Sequence, residues 1–236
     1  MKTIFGSSTS KSNEDSEHWM SVSDLMAGLM MVFLFISIAL MRSAYIERDK
    51  IKDVAIAYQE NQVAIYDELM VEFERDLNRW DAEIDREELA FRFNSPDVLF
   101  GIGSAKLKPH FKEILADFFP RYLFVLSKYK KSINEVRIEG HTSSDWNSSR
   151  SEDYAYFKNM ELSQGRTRSV LSFIYNLERT KSDKTWVKKH VAAVGFSSSR
   201  PIEIKGIEDK GRSRRVSFRV ITNADTQIRK ILDVKQ

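Results

Sequence analysis

Asp24 is the residue whose type and setting most directly suggest chemistry. It is the one ionisable group in an apolar run from Val22 to Met41. A carboxylate in a membrane-spanning helix costs about 2.5–3.5 kcal/mol at the centre of the bilayer, so such residues usually face a partner or a water path. Held there, Asp24 can bind and release a proton or a small cation. The alternative is a helix-terminal acid that reaches water or caps the helix together with Ser21 and Ser23.

The run around Asp24 predicts a single membrane-spanning helix. It is 20 residues long, which spans about 30 Å as a helix, and Trp19 and Tyr45 flank it where interfacial aromatic residues belong. A buried core helix is the alternative, whereas a cleaved signal peptide is disfavoured because acidic residues precede the run. We therefore predict a tail over residues 1–18 and an uncleaved transmembrane helix over 19–46.

The overall composition excludes several classes of protein. The chain has 236 residues, no cysteine and a formal net charge of +3. These values exclude a polytopic membrane protein, a disulfide-stapled secreted module and metal sites built on thiolates. The charge is −1 over residues 1–46, −8 over 47–90 and +12 over 91–236, so the chain divides into three parts.

The acidic part, residues 47–90, predicts one long helix because it contains neither proline nor glycine. Apolar residues recur along it mostly at steps of three and four, the pattern of a helix with one apolar stripe. The narrow stripe favours a coiled-coil-like stalk over 47–92 that joins two copies, and an amphipathic helix lying on the next domain is the alternative. The stripe comprises Ile51, Ala55, Tyr58, Ile65, Leu69, Phe73, Leu77, Trp80 and Ile84.

The basic part predicts a two-layer α/β sandwich because strand and helix patterns alternate along it. Four strands are predicted from apolar runs and from alternation at period two, at Val98–Ile102, Glu135–Glu139, His190–Phe196 and Arg215–Ile221. Two helices are predicted between them, at Lys108–Ser127 with an interruption at Pro120, and at Ser163–Leu177.

Two polar groupings in this part suggest ligand binding. The segment 140–144 (Gly-His-Thr-Ser-Ser) follows a predicted strand, but no nucleophile, base and orienting group surround His141. The chain is therefore predicted not to be an enzyme, with no catalytic residue, no metal site and no cofactor. The basic run Lys205–Arg219 suggests an anionic partner, and a solvated strand edge is the alternative. Direct nucleic-acid binding is not predicted because aromatic residues do not interleave with the cations.

An ordered series of motifs over about 95–222 resembles the OmpA-like peptidoglycan-binding domain. The series is Gly140-His141-Thr142, Asn159-x-x-Leu162-Ser163-x-x-Arg166, Val194-Gly195-Phe196 followed by Pro201, and Arg214-Arg215-Val216. The resemblance implies an OmpA-like domain over 93–222 and a C-terminal tail over 223–236. It also implies that the domain grips the diaminopimelate of the wall peptide.

The same resemblance implies the residues of a wall-binding site. Arg166 matches the family's arginine, whose guanidinium fork suits a carboxylate. Ser143 stands where the family has aspartate, and Asp145 is the residue that could substitute for it. The full set is His141, Thr142, Ser143, Asp145, Asn159, Leu162, Arg166, Arg214 and Arg215.

A membrane helix with an early aspartate, joined to an OmpA-like domain, resembles the MotB family of ion-driven stator subunits. In that family two copies sit inside a five-membered ring of a MotA-like membrane partner, and the intramembrane aspartate, here Asp24, carries a proton or a sodium ion. The acidic stalk, the loop 140–144 and the Gly211-Arg-Ser-Arg-Arg215 ending most resemble the MotB-like subunit of the Zorya anti-phage defence system. A flagellar stator subunit and a membrane-to-wall tether without a motor are the alternatives.

The resemblance implies a single-pass protein of the bacterial inner membrane, with a cytoplasmic N-terminus and a periplasmic C-terminal domain. The count of cations indicates the opposite orientation, because four cations follow the span within residues 42–52 and two precede it. We take the family's orientation as the prediction. The choice between proton and sodium and the trigger of the system stay open.

Overall fold

The computed structural model describes residues 11–94, 99–146 and 151–223, with side chains from residue 22 onwards apart from that of Tyr58. The chain forms two compact units, residues 1–53 and 54–236, and helix α1 (Lys11–Trp80) contributes to both. Residues 1–10 of the predicted N-terminal tail and residues 224–236 of the predicted C-terminal tail lie outside the described residues.

The first unit contains the apolar run. The side chains of this run are not packed against other described residues of the chain. Every residue from Val22 to Met41 is exposed, and none of the most apolar window is buried. This helix is long and apolar enough to cross a membrane, with a mean hydropathy of 2.2 over that window. A contiguous exposed apolar surface of this size needs an apolar environment. The segment is therefore a candidate single-pass anchor, and it is not the buried core helix considered as the alternative.

The second unit is built on a five-stranded mixed sheet with the strand order β1-β2-β7-β3-β4. Strands β3 and β4 are parallel, and every other pair in this sheet is antiparallel. A separate two-stranded hairpin, β5–β6, interrupts the connection from β4 to β7. The strands are β1 (Ala82–Asp85), β2 (Ala90–Phe93), β3 (Ile133–His141), β4 (Val191–Gly195), β5 (Glu203–Ile204), β6 (Ile207–Glu208) and β7 (Arg215–Thr222).

Helices cover one face of this sheet and enclose an aromatic core. After α1 they are α2 (Pro109–Ser127), α3 (Glu152–Tyr175), α4 (Lys184–His190) and the short α5 (Lys210–Ser213), with a 3₁₀ turn at Glu178–Asp183. The ring of Phe118 lies at the centre of the core, 4.5 Å from that of Phe91 and 5.0 Å from that of Phe218 between centroids. The predicted α/β sandwich is confirmed.

The end of α1 corrects the predicted long helix over 47–90. The helix ends at Trp80 because Asp81 takes a positive φ of 49° and the chain turns into the antiparallel hairpin β1–β2. Ile84, assigned to the helical stripe, lies in β1 instead. Strand β2 pairs with β7, so the sheet begins before the predicted boundary at residue 93.

The C-terminal part of the apolar stripe of α1, from Ile65 onwards, packs on the domain of its own chain. Ile65, Leu69 and Phe73 are fully buried in the core of the second unit. This is the alternative considered for the stripe, and these three side chains are not accessible to a coiled-coil partner. Association of two copies stays a prediction.

Three other predicted elements differ in extent. Helix α2 continues through Pro120, since the lost backbone bond is offset by burial of neighbours such as Phe119. Of the predicted strand over 98–102, residue 98 lies outside the described residues, and Phe100 forms an isolated bridge to Leu107. Helix α3 begins at Glu152, well before the predicted Ser163.

Helix α3 begins early because residue 151 caps it. The Ser151 side chain accepts a hydrogen bond from the Tyr154 amide, and Glu152 and Asp153 lie in the first turn, where acidic groups favour a helix N-terminus. Asn159 therefore lies within α3 and not at the end of a long loop.

Candidate functional site

Two glycines allow α3 to approach the sheet closely. Gly140 of β3 and Gly195 of β4 are paired in register. A Cβ on Gly140 would lie 2.8 Å from the Ser163 carbonyl oxygen, and a Cβ on Gly195 would lie 2.5 Å from the Gln164 amide nitrogen. Only glycine fits at such separations, so the glycines of two motifs fix the depth at which α3 sits on the sheet.

Ser197 connects the ends of the two parallel strands to α3. Its carbonyl oxygen accepts from the Thr142 amide at 2.9 Å, and its hydroxyl donates to the Tyr156 carbonyl oxygen at 2.6 Å. Its own amide donates to the Ser163 hydroxyl at 3.2 Å. Sequence reasoning missed this residue, although it directly follows the Val-Gly-Phe motif.

A cleft of about 460 Å³ lies where α3 meets the loops after β3 and before α2. It brings together seven of the nine residues predicted to bind peptidoglycan: Thr142, Ser143, Asp145, Asn159, Leu162, Arg166 and Arg214. Ile102, Gly103 and Trp146 complete the lining and were not predicted. Trp146 is an aromatic residue in an otherwise polar loop, which is the signal that could have indicated it.

Arg166 has the geometry of a buried cation that holds a neighbouring loop. It is 5% exposed, its Nε donates to the Ser104 carbonyl oxygen at 3.1 Å, and its Nη2 donates to the Gly101 carbonyl oxygen at 3.4 Å. Its guanidinium carbon lies 4.9 Å from the Phe100 ring centroid. Arg166 therefore orders the loop 101–104 and places a positive charge at the cleft.

Asn159 and the hairpin β5–β6 hold the loop after β3. The Asn159 Nδ2 donates to the carbonyl oxygens of Ser143 and Asp145, at 3.1 and 3.2 Å. On the other side of the loop, the Ser144 amide donates to the Glu208 carboxylate at 3.1 Å. The Ser144 hydroxyl also donates to the Glu208 carboxylate. The loop of the cleft is thus ordered from α3 and from the hairpin.

Lys210 neutralises the carboxylate of Asp145. Its Nζ lies 2.9 Å from Oδ1 and 2.7 Å from Oδ2, and the hydrogen bond to Asp145 raises the pKa of Lys210. Asp145 is the one acidic residue in the described lining, whereas Arg166 and Arg214 are cationic. The cleft therefore suits a ligand that carries a carboxylate.

The other two predicted residues, His141 and Arg215, lie beneath the cleft and do not line it. The His141 Nε2 is 3.5 Å from the Glu139 carboxylate, and its ring stacks on that of Phe196 with 5.3 Å between centroids. The Arg215 Nη1 donates to the carbonyl oxygens of Ser213 and Arg200. Both side chains are buried and act in this geometry as supports.

The buried pair Glu139–His141 has shifted titration behaviour. Burial and the nearby charges of Arg215 and Arg200 lower the pKa of His141, although the bond to Glu139 opposes this. Burial raises the pKa of Glu139, but the bond from His141 and the charges of Arg219 and Arg200 outweigh it and lower the pKa overall. At neutral pH the pair is an ionised carboxylate that accepts from a neutral imidazole.

Asp24, the predicted ion carrier, lies in the first unit, and its side chain forms no hydrogen bond or ion pair with any residue that the structure describes. Its side chain is exposed. One turn later, a Cβ on Gly28 would meet no atom within 4 Å. The described side chains contain no group of three or more His, Asp or Glu residues that could hold a metal ion. The absence of catalysis and of a cofactor stays a prediction.

Comparison with known proteins decides the family. The model of the OmpA family matches residues 99–215, which include the motifs around the cleft. The "Zorya protein ZorB" of Escherichia coli is 58% identical over 233 residues, which is 98% of this chain and 99% of that protein. The chain belongs to the ZorB family. Membership in the ZorB family confirms the predicted resemblance to the Zorya subunit with an OmpA-like domain.

Several solved structures are similar to parts of this ZorB-family chain. A MotB-like protein from Desulfovibrio vulgaris has a TM-score of 0.48 and 21% identity, over 74% of this chain and 94% of that one. The cell wall anchor of the T6SS from Pseudomonas aeruginosa has a TM-score of 0.46 and 20% identity, over 65% and 96%. The periplasmic domain of Helicobacter pylori MotB has a TM-score of 0.41 and 16% identity, over 62% and 85%.

Proposed function

We propose that this chain is the wall-anchored, ion-carrying subunit of an inner-membrane motor in a Zorya anti-phage defence system. The observation that carries the wall-binding part is the convergence of two distant motifs on one cleft. The loop after β3 supplies Thr142 and Ser143, and α3 supplies Asn159, Leu162 and Arg166. Membership in the ZorB family supports the assignment to a Zorya system.

The charges of the cleft suit the peptide of peptidoglycan. Arg166 and Arg214 supply positive charge for a peptide carboxylate, and Asn159 holds the loop carbonyls that fix the cleft's shape. Trp146, Leu162 and Ile102 offer apolar contact to the aliphatic part of a diaminopimelate side chain. Domain and wall then form a fixed anchor against which a motor can work.

The apolar helix supports the membrane part of the proposal. Its exposed side chains leave room for lipid and for the helices of a MotA-like partner ring around two copies of the chain. Asp24 has no counter-ion among the described residues, so a partner helix or a transported proton or sodium ion would satisfy it. In this arrangement the N-terminus is cytoplasmic and the OmpA-like domain is periplasmic.

Sedimentation with purified sacculi tests the wall-binding part. We expect Arg166→Ala to lower binding at least about tenfold. Arg166→Lys should bind more weakly than wild type and more strongly than Arg166→Ala, because lysine keeps the charge but loses the planar fork. Lys131→Ala, an exposed residue outside the cleft, is the control. Equal binding by wild type and Arg166→Ala, with both proteins folded, would remove the wall-binding role.

A phage-protection assay tests the ion-carrying part. We expect Asp24→Asn to abolish protection at unchanged expression and membrane insertion, because an amide cannot exchange a proton or hold a cation as a carboxylate does. Asp53→Asn, an acidic residue after the span, is the matched control. If Asp24→Asn still protects, the ion-carrying role is wrong, and the absence of a co-purifying multi-span partner would then assign the chain as a tether without a motor.

A reporter fused after residue 236 tests the orientation. We expect it to report from the periplasm, since the wall lies there. A cytoplasmic signal would contradict both the motor and the tether.

A further inference from the structure

Loop 101–107 lines two different depressions of the domain. Ile102 and Gly103 belong to the cleft, whereas Lys106 and Leu107 line a second depression of about 590 Å³ against α2 and α3. A third depression, of about 350 Å³, continues along α3 towards α4 and shares Arg168 with the second. We call the second and third depressions together the basic groove.

The cations of the basic groove have no acidic partners. The groove is lined by four exposed cations, Lys106, Lys112, Arg168 and Lys188, and none of their side chains forms an ion pair or hydrogen bond with a residue that the structure describes. The described lining of the groove contains no aspartate or glutamate. Unpaired charges of one sign in a concave surface concentrate the field and attract an anion.

Other cations on the same domain are paired across elements. Arg121 of α2 binds Glu72 and Asp76 of α1, and Lys130 binds Asp183. The four groove cations differ from Arg121 and Lys130 in that no carboxylate of the described residues lines the groove around them.

The rest of the groove lining describes the kind of anion. Leu107, Phe173 and Leu177 give it apolar walls, and the side chains of Ser169 and Ser172 add hydroxyl groups. Three of the four cations are lysines, which act as separate point charges, and the four come from loop 101–107 and three different helices. Spaced single charges with apolar contacts between them suit a chain-like ligand with separate carboxylates.

We propose that the basic groove is a second subsite for the carboxylate-bearing peptides of the wall polymer, next to the peptide portion held in the cleft. The proposal rests on the proposed wall-binding function. The shared loop 101–107 brings the two sites side by side, so one polymer can occupy both. The groove would increase the affinity of the domain for the wall and make that affinity depend on ionic strength. This would support wall binding by a cleft that has Ser143 where the family has aspartate.

Charge reversal in the full chain in detergent tests the proposal. We expect the double variant Lys112→Glu with Arg168→Glu to weaken sedimentation with sacculi by about fivefold to tenfold at about 0.05 M sodium chloride. We also expect its binding to fall less steeply than that of the wild type as sodium chloride is raised to about 0.5 M. The double variant Lys131→Glu with Lys189→Glu makes the same charge change at exposed positions outside the groove, and it should stay within about twofold of wild type. The fold should survive because the reversed residues have no partners, and a thermal unfolding scan checks this.

The outcomes separate the groove from the cleft. If the groove variant binds like its control while Arg166→Ala is impaired, the second subsite is wrong and the wall-binding function stands. If the wild type does not sediment with sacculi at all, both are wrong. Displacement by inorganic phosphate well beyond that by sodium chloride of equal ionic strength would assign the groove to phosphate groups and overturn the carboxylate proposal.

Discussion

Lys210 contacts both carboxylate oxygens of Asp145, at 2.9 Å from Oδ1 and 2.7 Å from Oδ2. Asp145 is the residue available to replace the aspartate that the OmpA-like pattern has at Ser143. Lys210 therefore pairs within the domain with the carboxylate that could replace the family's aspartate.

Removing Lys210 should weaken wall binding. We expect Lys210→Gln to lower the affinity for sacculi by about twofold to fivefold, because the unpaired Asp145 carboxylate then repels a ligand carboxylate. Adding Asp145→Asn to that variant should restore binding. Sedimentation of the single and double variants measures this, and a double variant no better than Lys210→Gln would contradict the charge argument.

The contact of α3 with the sheet should not tolerate a side chain at residue 195. We expect Gly195→Ala to destabilise the domain by about 1–3 kcal/mol and to lower wall binding, because the new Cβ would overlap the backbone of Gln164. Gly101→Ala is the comparison and should cost less, since its Cβ would lie 3.3 Å from the Ser104 Cβ, a tight contact with a side chain and not an overlap with backbone. Denaturant unfolding measures both, and equal stabilities would show that α3 shifts freely.

The stability of the second unit should fall on mild acidification because of His141. Its pKa in the folded domain lies below the ordinary value of 6.5, so the unfolded chain takes up the proton first as the pH falls. The stability that neutral His141 contributes is complete above about pH 6.5 and is lost as the pH falls through the lower folded value. The pKa of Glu139 lies below 4.5, so its contribution is lost only at more acidic pH.

Thermal unfolding between about pH 7.5 and about pH 5.5 tests this. We expect the wild-type Tm to drop by about 2–5 °C over that range and the drop to shrink in His141→Gln. His190→Gln, at a histidine that contacts the Asn134 carbonyl oxygen, should keep the wild-type slope. An unchanged slope in His141→Gln would assign the pH dependence to other groups.

Arg121 should determine how firmly the end of α1 is held on the domain. Its guanidinium binds Glu72 and Asp76 and lies 4.7 Å from the Phe73 ring centroid. We expect Arg121→Ala to cost about 1–2 kcal/mol, because this half-buried network is partly screened by solvent. Faster hydrogen exchange over residues 65–80 is the specific readout. Arg75→Ala, an exposed arginine of the same helix, is the control.

The sequence predicted the fold where local pattern and tertiary structure agree. Strands β3, β4 and β7 lie within about two residues of their predicted positions, because their alternation reflects one buried face. The hairpin β1–β2 was missed because its acidic, proline-free sequence also suits a helix. The pairing of β2 with β7 is what buries Phe91 and Phe93 on one face of the sheet and places Arg92 on the other.

The residues of the site that belong to sequence motifs were predictable, whereas those that tertiary packing brings to the site were not. The series around His141 and Arg166 indicated seven cleft residues, but spacing alone could not show that His141 and Arg215 point beneath the cleft. Glu208 of β6 and Lys210 of α5 reach the loop from more than sixty positions away in the chain. Contacts at such separations follow from the fold and not from any local pattern.

Strand β1 forms one outer edge of the five-stranded sheet, and its charged side chains oppose pairing with another strand at that edge. It is four residues long, and two of them are the acids Glu83 and Asp85, which both bind Arg92 of the neighbouring strand. A short, charged edge discourages a strand of another molecule from pairing with it. Several copies crowded into one patch of membrane would thus stay separate at this edge, without growing into fibrils through shared sheets.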